Sequence, residues 1–244
     1  MKKLTLTFDN GPDPACTPQV LDILAERGIK ATFFVCGQGN RLHPALQANT
    51  DEGRGLLLRA RSEGHWVGNH SLTHSVELGT TRDPKVIARE IGRNQELLGE
   101  LNDQRLFRPY MGGGIPNRRT YSPEAIQYLC DNQYTAVMFN CVPRDWEIPE
   151  AWPEEAFEQM AQQDWTLLIV HDVERYGGMK QLARFLDAAI AQDIEIVQEF
   201  PPDCVPIRRG EIVGSLDGLV CGDEPEPVTR LSAAAAASVE ELTS

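Results

Sequence analysis

The chain has 244 residues, 41% of them apolar and 24% charged, with a formal net charge of −13 at pH 7. That length can bury a sizeable core in one large domain, and the composition is that of an ordinary soluble globule. The acidic balance argues against a nucleic-acid backbone or an anionic membrane surface as partner. No stretch reaches the roughly eighteen apolar residues of a membrane span.

The chain starts MKKLTLTFDNGP. Threonines interrupt its apolar part, and it runs straight into strand and turn, so it does not read as a secretory leader and a cytoplasmic location is expected. Cysteines 16, 36, 130, 141, 204 and 221 form no C-x-x-C pair and are expected to stay reduced there.

In residues 3–8, Leu4, Leu6 and Phe8 alternate with Thr5 and Thr7 and predict a strand. It runs into the acidic turn Asp9-Asn10-Gly11-Pro12-Asp13-Pro14. Residues 17–27 predict a helix with Thr17 as N-cap, Pro18 at its first position and Gly28 beyond its end. KATFFVCG (30–37) is apolar enough for a strand buried on both faces. Residues 51–64 predict a helix and 65–69 a short strand. Residues 83–102 predict one long helix, capped by Asp83, with Ile87, Ile91, Asn94, Leu98 and Leu101 at helical spacing.

A brief strand at 106–108, a helix at 122–131, the strand YTAVMFN (134–140) and a helix led by Pro153 follow. WTLLIVH (165–171) is the most apolar strand. In the helix of residues 179–192, Leu182, Phe185, Leu186, Ala189 and Ile190 form a core-facing stripe. IEIVQEF (194–200) ends the pattern. About seven βα units with short connections argue for a parallel sheet with helices outside it. Periodicity does not decide whether the sheet closes into a barrel. Residues 201–220 read as an irregular extension with one or two short strands. The expected domain is 1–222, followed by an acidic, Ala-rich mobile tail at 223–244.

In parallel α/β folds, sites gather at the carboxyl ends of strands, and the unusual polar residues fall there. Asp9 and Asn10 end the first strand; His70 and His74 follow HWVG; Arg108-Pro109-Tyr110 follows Leu106-Phe107; Asp145-Trp146 follows TAVMFN; His171 ends TLLIV. Taken singly, each has an ordinary reading. An Asp after a strand is commonly a helix cap, a His ending an apolar strand a hydrogen-bonded core group, and His-x-x-x-His a chance surface pair. His-x-x-x-His also sets two imidazoles on one side of a helical turn, within reach of one metal. The joint placement is what raises the reactive reading. His43 and His65 lack such company and read as surface or structural residues.

The ordered set TFDNGPDP, GNHSLTH, FRPY, PRDW and LIVH resembles the five motifs of the polysaccharide deacetylases, carbohydrate esterase family 4, also called the NodB homology domain. The resemblance runs over roughly residues 3–200 and implies a distorted (β/α) barrel of about seven parallel strands with helices outside. It implies a divalent-metal-dependent hydrolase, zinc first with cobalt or nickel as substitutes, that removes acetyl groups from N-acetylated sugars. Carried over by position, Asp9 is the base, Arg108 orients it, His171 is the general acid and Asp145 its partner. His70, His74 and Asn10 are the metal positions. The backbone near Tyr110, or at Met111, supplies an oxyanion donor, Trp146 walls the groove, and Ile169 lines the acetyl pocket.

The chain departs from the pattern at Asn10, where the family has a metal-binding Asp. An amide oxygen can ligate but brings no charge, so weaker metal binding is expected. Retention of Asp9, His70, His74 and His171 favours a weaker but more Lewis-acidic site over two alternatives. These are a metal-independent amide or imide hydrolase and a carbohydrate-binding relative without activity. Val142, where an Asp is common, and MGGG after Tyr110 point to altered specificity. The expected substrate is a small N-acetylated compound, such as a soluble chitooligosaccharide.

Overall fold

The computed structural model describes residues 1–38 and 48–222. His43 and the acidic tail after residue 222 lie outside the described residues. Seven strands pair in parallel: β1 (Lys3–Asn10), β2 (Thr32–Val35), β3 (Trp66–Asn69), β4 (Leu106–Phe107), β5 (Thr135–Ala136), β6 (Trp165–His171) and β7 (Glu195–Val197). The sheet order is β6-β1-β2-β3-β4-β5, with β7 also on β1, and a small antiparallel pair, β8 (Ile207–Arg208) and β9 (Glu211–Ile212), extends it from β5. Cys141 bridges back to Leu168 of β6, so the curled sheet returns on itself as a distorted barrel.

Each strand face has its own destination. Leu4, Leu6, Phe8, Phe33, Val35, Leu168 and Val170 form one buried cluster with residues of α1 (Thr17–Glu26), α6 (Trp152–Met160) and α7 (Leu182–Ala191). The alternate residues Phe34, Leu167 and Ile169 belong to a second cluster with Phe107, Tyr121 and Ile207. Thr5 and Thr7, the polar half of the first strand, are fully buried. Their hydroxyls donate to the Glu199 and Leu168 carbonyls, which makes that burial tolerable.

Several expectations from the sequence change in detail. Cys16, not Thr17, is the N-cap of α1, because the Thr17 hydroxyl is already engaged by the acidic turn. Ile190 is 48% exposed and lies off the core stripe of α7. YTAVMFN is a regular strand only at Thr135–Ala136; beyond it, Val137 and Met138 donate to the Phe107 and Cys204 carbonyls before residues 140–141 reach β6. The long helix of residues 83–102 is broken into α3 (Pro84–Ile87), a π-turn at Ala88–Arg93, α4 (Asn94–Leu98) and a 3-10 turn. Asp83 does cap it, accepting from the Lys85 N–H. The two remaining helices are α2 (Asp51–Ser62) and α5 (Pro123–Asp131), capped by Thr50 and Ser122. All six cysteines are free thiols.

Register explains where the polar residues gather. Asp9 pairs with His171 on one side and Phe34 on the other, and Asn10, Val35, Asn69 and Phe107 form the next row. His70 and Arg108 are the first residues beyond that row. The sheet thus delivers Asp9, Asn10, His70, Arg108 and His171 to one level at the carboxyl ends of its strands.

Candidate active site

A cleft of about 160 Å3 opens at that end, lined by Asp9, Asn10, His70, His74, Tyr110, Met111, Val142, Trp146, Ile169, His171 and Tyr176, among others. Eight of the ten residues singled out from the sequence line it, and the other two, Arg108 and Asp145, reach it through one hydrogen bond, to Asp9 and His171.

Arg108 is fully buried and holds Asp9 in place. Its guanidinium donates to Asp9 Oδ1 (2.7 Å), Thr7 Oγ1 (2.8 Å) and the Val137 and Met138 carbonyls (both 3.1 Å). It also lies over the Phe34 ring, 4.0 Å from the centroid. A buried ion pair is tolerated only when its remaining donors are satisfied, and these contacts satisfy them. Asp9 Oδ2 has no hydrogen-bond donor, although His70 Nε2 stands 3.4 Å away.

The same arginine orients His70 through its backbone. The Arg108 carbonyl lies 2.9 Å from His70 Nδ1, so that nitrogen carries the proton and Nε2 keeps a lone pair. Burial lowers the His70 pKa from its ordinary value, with Asp9 opposing, which favours the neutral, ligating imidazole. The His74 ring is tilted against that of His70 with centroids 5.0 Å apart, and the Tyr110 ring meets it edge-on at 4.4 Å. The two histidines do not share a helical turn. Residues 70–77 form an irregular loop with Ser71 and His74 at φ of 68° and 50°, and that reversal brings the imidazoles together.

Asn10 has φ 82°, a conformation Asn tolerates better than most residues. It is buried, and its Oδ1 has no hydrogen-bond partner. An orphaned buried amide oxygen is costly, and a cation in the cleft would satisfy it. Among the described residues no group of three His, Cys, Asp or Glu side chains is arranged to hold a metal. The donor set that does fit one is mixed: two imidazoles and this neutral oxygen.

Across the cleft, His171 Nδ1 lies 2.8 Å from Asp145 Oδ1, and the His171 N–H donates to Asp145 Oδ2. Asp145 is fully buried. Burial works against a charge on His171. Asp145, and after it Asp9 and Asp172, outweigh that and raise its pKa above the ordinary imidazole value. Trp146 and Tyr176 meet the His171 ring edge-on at 5.1 and 5.6 Å. Ile169, Val142 and Phe139 make the apolar wall. Neither the Tyr110 nor the Met111 backbone N–H is bonded to another described residue, so both remain candidate oxyanion donors. His65 is structural: its Nδ1 accepts from the Ala31 N–H, and burial pulls its pKa down to about 4.

Sequence reasoning missed three contributors. Asp172 is buried behind the acidic turn, and burial pushes its carboxyl up to about 7. Glu90, fully buried on the π-turn, accepts from the backbone N–H and hydroxyl of Thr73 in the His70–His74 loop. Tyr176 lines the cleft from a short 3-10 turn. A carboxylate directly after His171, and a Glu within an apolar helical face, were the available signals.

The polysaccharide deacetylase model matches residues 1–137, more than half of the chain. The chain belongs to this family. The family match stops short of Asp145, Trp146, Ile169 and His171, so the acid half of the cleft rests on geometry. Over 148 residues the chain is 33% identical to a chitooligosaccharide deacetylase of Rhizobium leguminosarum bv. trifolii, covering 61% of each protein. It thus spans about three fifths of the length of such curated relatives. A family 4 acetyl xylan esterase from Clostridium thermocellum, solved in complex with a cobalt ion, superposes with a TM-score of 0.62 at 26% identity, over 80% of this chain and 87% of that one. A Streptococcus mutans CE4 esterase matches in fold, with a TM-score of 0.65 at 22% identity over 80% and 85% of the two chains.

Proposed function

We propose that this polysaccharide deacetylase family member hydrolyses the amide of a small N-acetylated sugar, such as a soluble chitooligosaccharide, releasing acetate and the free amine. The observation that carries the reading is the pairing of two differently prepared groups on one cleft. Asp9 is held by Arg108 with one oxygen left open, and Asp145 favours the charged form of His171 against its burial.

His70, His74 and the Asn10 carbonyl oxygen would hold a divalent ion, zinc in the first instance. When bound, that ion polarises the acetyl carbonyl and makes water more acidic. Asp9 Oδ2 accepts the proton of the attacking water, and Arg108 keeps the carboxylate from rotating away. The Tyr110 or Met111 N–H donates to the oxygen that gains negative charge. His171, with Nδ1–H on Asp145, delivers the proton on Nε2 to the leaving nitrogen as the C–N bond breaks. Ile169, Phe139 and Val142 surround the acetyl methyl, and Trp146 flanks the sugar. The two carboxylate–partner pairs, the orphan Asn10 oxygen and a cleft this small all support the reading.

Purified protein supplied with zinc is expected to release acetate from acetylated chitooligosaccharides, and His74→Ala to lose both zinc retention and turnover. The cationic acid must persist for activity. Because its pKa is raised, activity is expected to fall on the alkaline side only above the ordinary imidazole value. Acetate release that survives exhaustive chelation, or turnover of ureide or imide rings by metal-free protein, would overturn the metal-assisted reading.

A further inference from the structure

The β1–β6 ladder ends at the Asp9–His171 pair, and the two chains separate just where the cleft begins. Asn10 turns away with φ 82°, and a second set of contacts takes over from the ladder. Asp172 reaches back under the acidic turn: its Oδ1 accepts the Gly11 N–H at 3.1 Å and its Oδ2 the Thr17 hydroxyl at 2.5 Å. Asp13 reaches the other way, accepting the Glu174 N–H at 3.0 Å, while its own N–H donates to Thr17 Oγ1 at 2.8 Å. Two carboxylates therefore cross between the segment leaving β1 and the segment leaving β6. Gly11 is where they meet most closely: a Cβ there would stand 2.2 Å from Asp172 Oδ2.

Gly11 is held at both ends, by its N–H in the Asn10–Gly11 peptide and by its carbonyl in the next. Asp172 holds its N–H, and the Gly11 carbonyl accepts from the Cys36 N–H at 3.2 Å. The orientation of the Asn10–Gly11 peptide sets the backbone from which the Asn10 side chain projects, and Asn10 Oδ1 is a buried oxygen at the cleft without a hydrogen-bond partner. Asp172 and Asp13 do not line the cleft themselves. We infer that Asp172 is a positioning residue: through the Gly11 N–H it holds Asn10 in the left-handed conformation that aims its carbonyl oxygen at the bound ion. A neutral ligand gains less from charge attraction than a carboxylate would, so it depends more on being aimed correctly. This inference rests on the metal reading above.

The test compares Asp172→Ala, Asp172→Asn and a control outside the cleft lining, Asn102→Ala, which loses buried hydrogen bonds to Leu106. Zinc affinity is measured by chelator competition and exchange of the Gly11 amide by NMR, alongside kcat, KM and the melting temperature. Asp172→Ala is expected to lose about 10-fold or more in zinc affinity. Its kcat falls with little change in KM, and Gly11 exchanges faster. Asp172→Asn keeps an amide oxygen that can accept the Gly11 N–H and is expected to recover most of the affinity. Asn102→Ala lowers the melting temperature without changing zinc affinity or Gly11 exchange. The inference is overturned if Asp172→Ala binds zinc as the parent does, or if the control loses affinity in proportion to its stability. A parent that binds no zinc overturns the metal reading instead. The Gly11 exchange rates then decide separately whether Asp172 holds this peptide, and unchanged rates in Asp172→Ala sink the clamp.

Discussion

At Asn10 the motif resemblance leads one to expect a metal-binding Asp instead. Its neighbours are kept as a working set: Asp9 on Arg108, His70 on the Arg108 carbonyl, and His171 on Asp145. Two oxygens among them have no hydrogen-bond partner, Asp9 Oδ2 and Asn10 Oδ1. Asn10→Asp adds a formal charge to the same position and is expected to raise zinc affinity by at least ~10-fold. Chelator competition on parent and variant checks it, and equal affinities would remove Asn10 from the ligand set. The residues themselves were legible because chemistry restricts their types. A base, an acid and metal donors must be Asp, His and their like, and all fell after predicted strands. Asp172 was not legible, because a buried carboxylate that accepts from a backbone amide looks the same in sequence as a helix cap.

Elements were legible in number and type more than in detail. The seven parallel strands follow from apolar runs alternating with helical spacing, but β4 and β5 are only two residues long. Their neighbours are held by side chains and irregular backbone instead, which leave no periodic trace. The π-turn is the clearest case. Uniform spacing of Ile87, Ile91, Asn94 and Leu98 predicts an unbroken helix, yet the chain widens at Ala88–Arg93. The wider turn lets helix carbonyls serve the loop below: Glu90 O accepts the Leu72 N–H and Ile91 O the Asn69 side chain. Asn94 is fully buried, and the two hydrogens on its Nδ2 are shared among Val35 O, Asn69 Oδ1 and Ser71 O, all within 3.0 Å. The helix thus braces the segment that carries both histidines. Asn94→Ala removes these bonds while the His70, Ser71 and Gly37 N–H groups still serve the same acceptors, so the expected cost is about 0.5–1.5 kcal/mol of stability in denaturant unfolding. Zinc affinity is expected to fall with it, because Ser71 starts the reversal that brings His74 to His70. An Asn94→Ala protein with unchanged unfolding and unchanged zinc binding would remove the brace.

Across the whole molecule, the two buried clusters divide the labour. One packs strands against α1, α6 and α7 and is almost wholly apolar. The other, with Phe34, Phe107, Ile169 and Ile207, shares its side of the sheet with a buried arginine, an aspartate and two threonines. Closure through Cys141 and Leu168 brings the two members of the acid pair together, since Asp145 lies four residues beyond that bridge and His171 three. Closure depends on two residues and could not be read from periodicity. Among the described residues no helix is long and apolar enough to cross a membrane.

Asn10 is followed by glycine, a pairing that in a flexible chain ages chemically: the glycine nitrogen attacks the side-chain carbonyl, ammonia leaves, and hydrolysis of the ring leaves an aspartate. Here that nitrogen lies buried with its N–H on Asp172, and the Asn10 backbone is pinned. The ring cannot close without first breaking the contact that orients the ligand. The contact that aims Asn10 therefore also preserves it. Folded protein stored at neutral pH is expected to keep its intact mass, while the Asp172→Ala variant gains about one dalton over the same interval. A parent that ages as fast as the variant would show that Asp172 gives Asn10 no such protection.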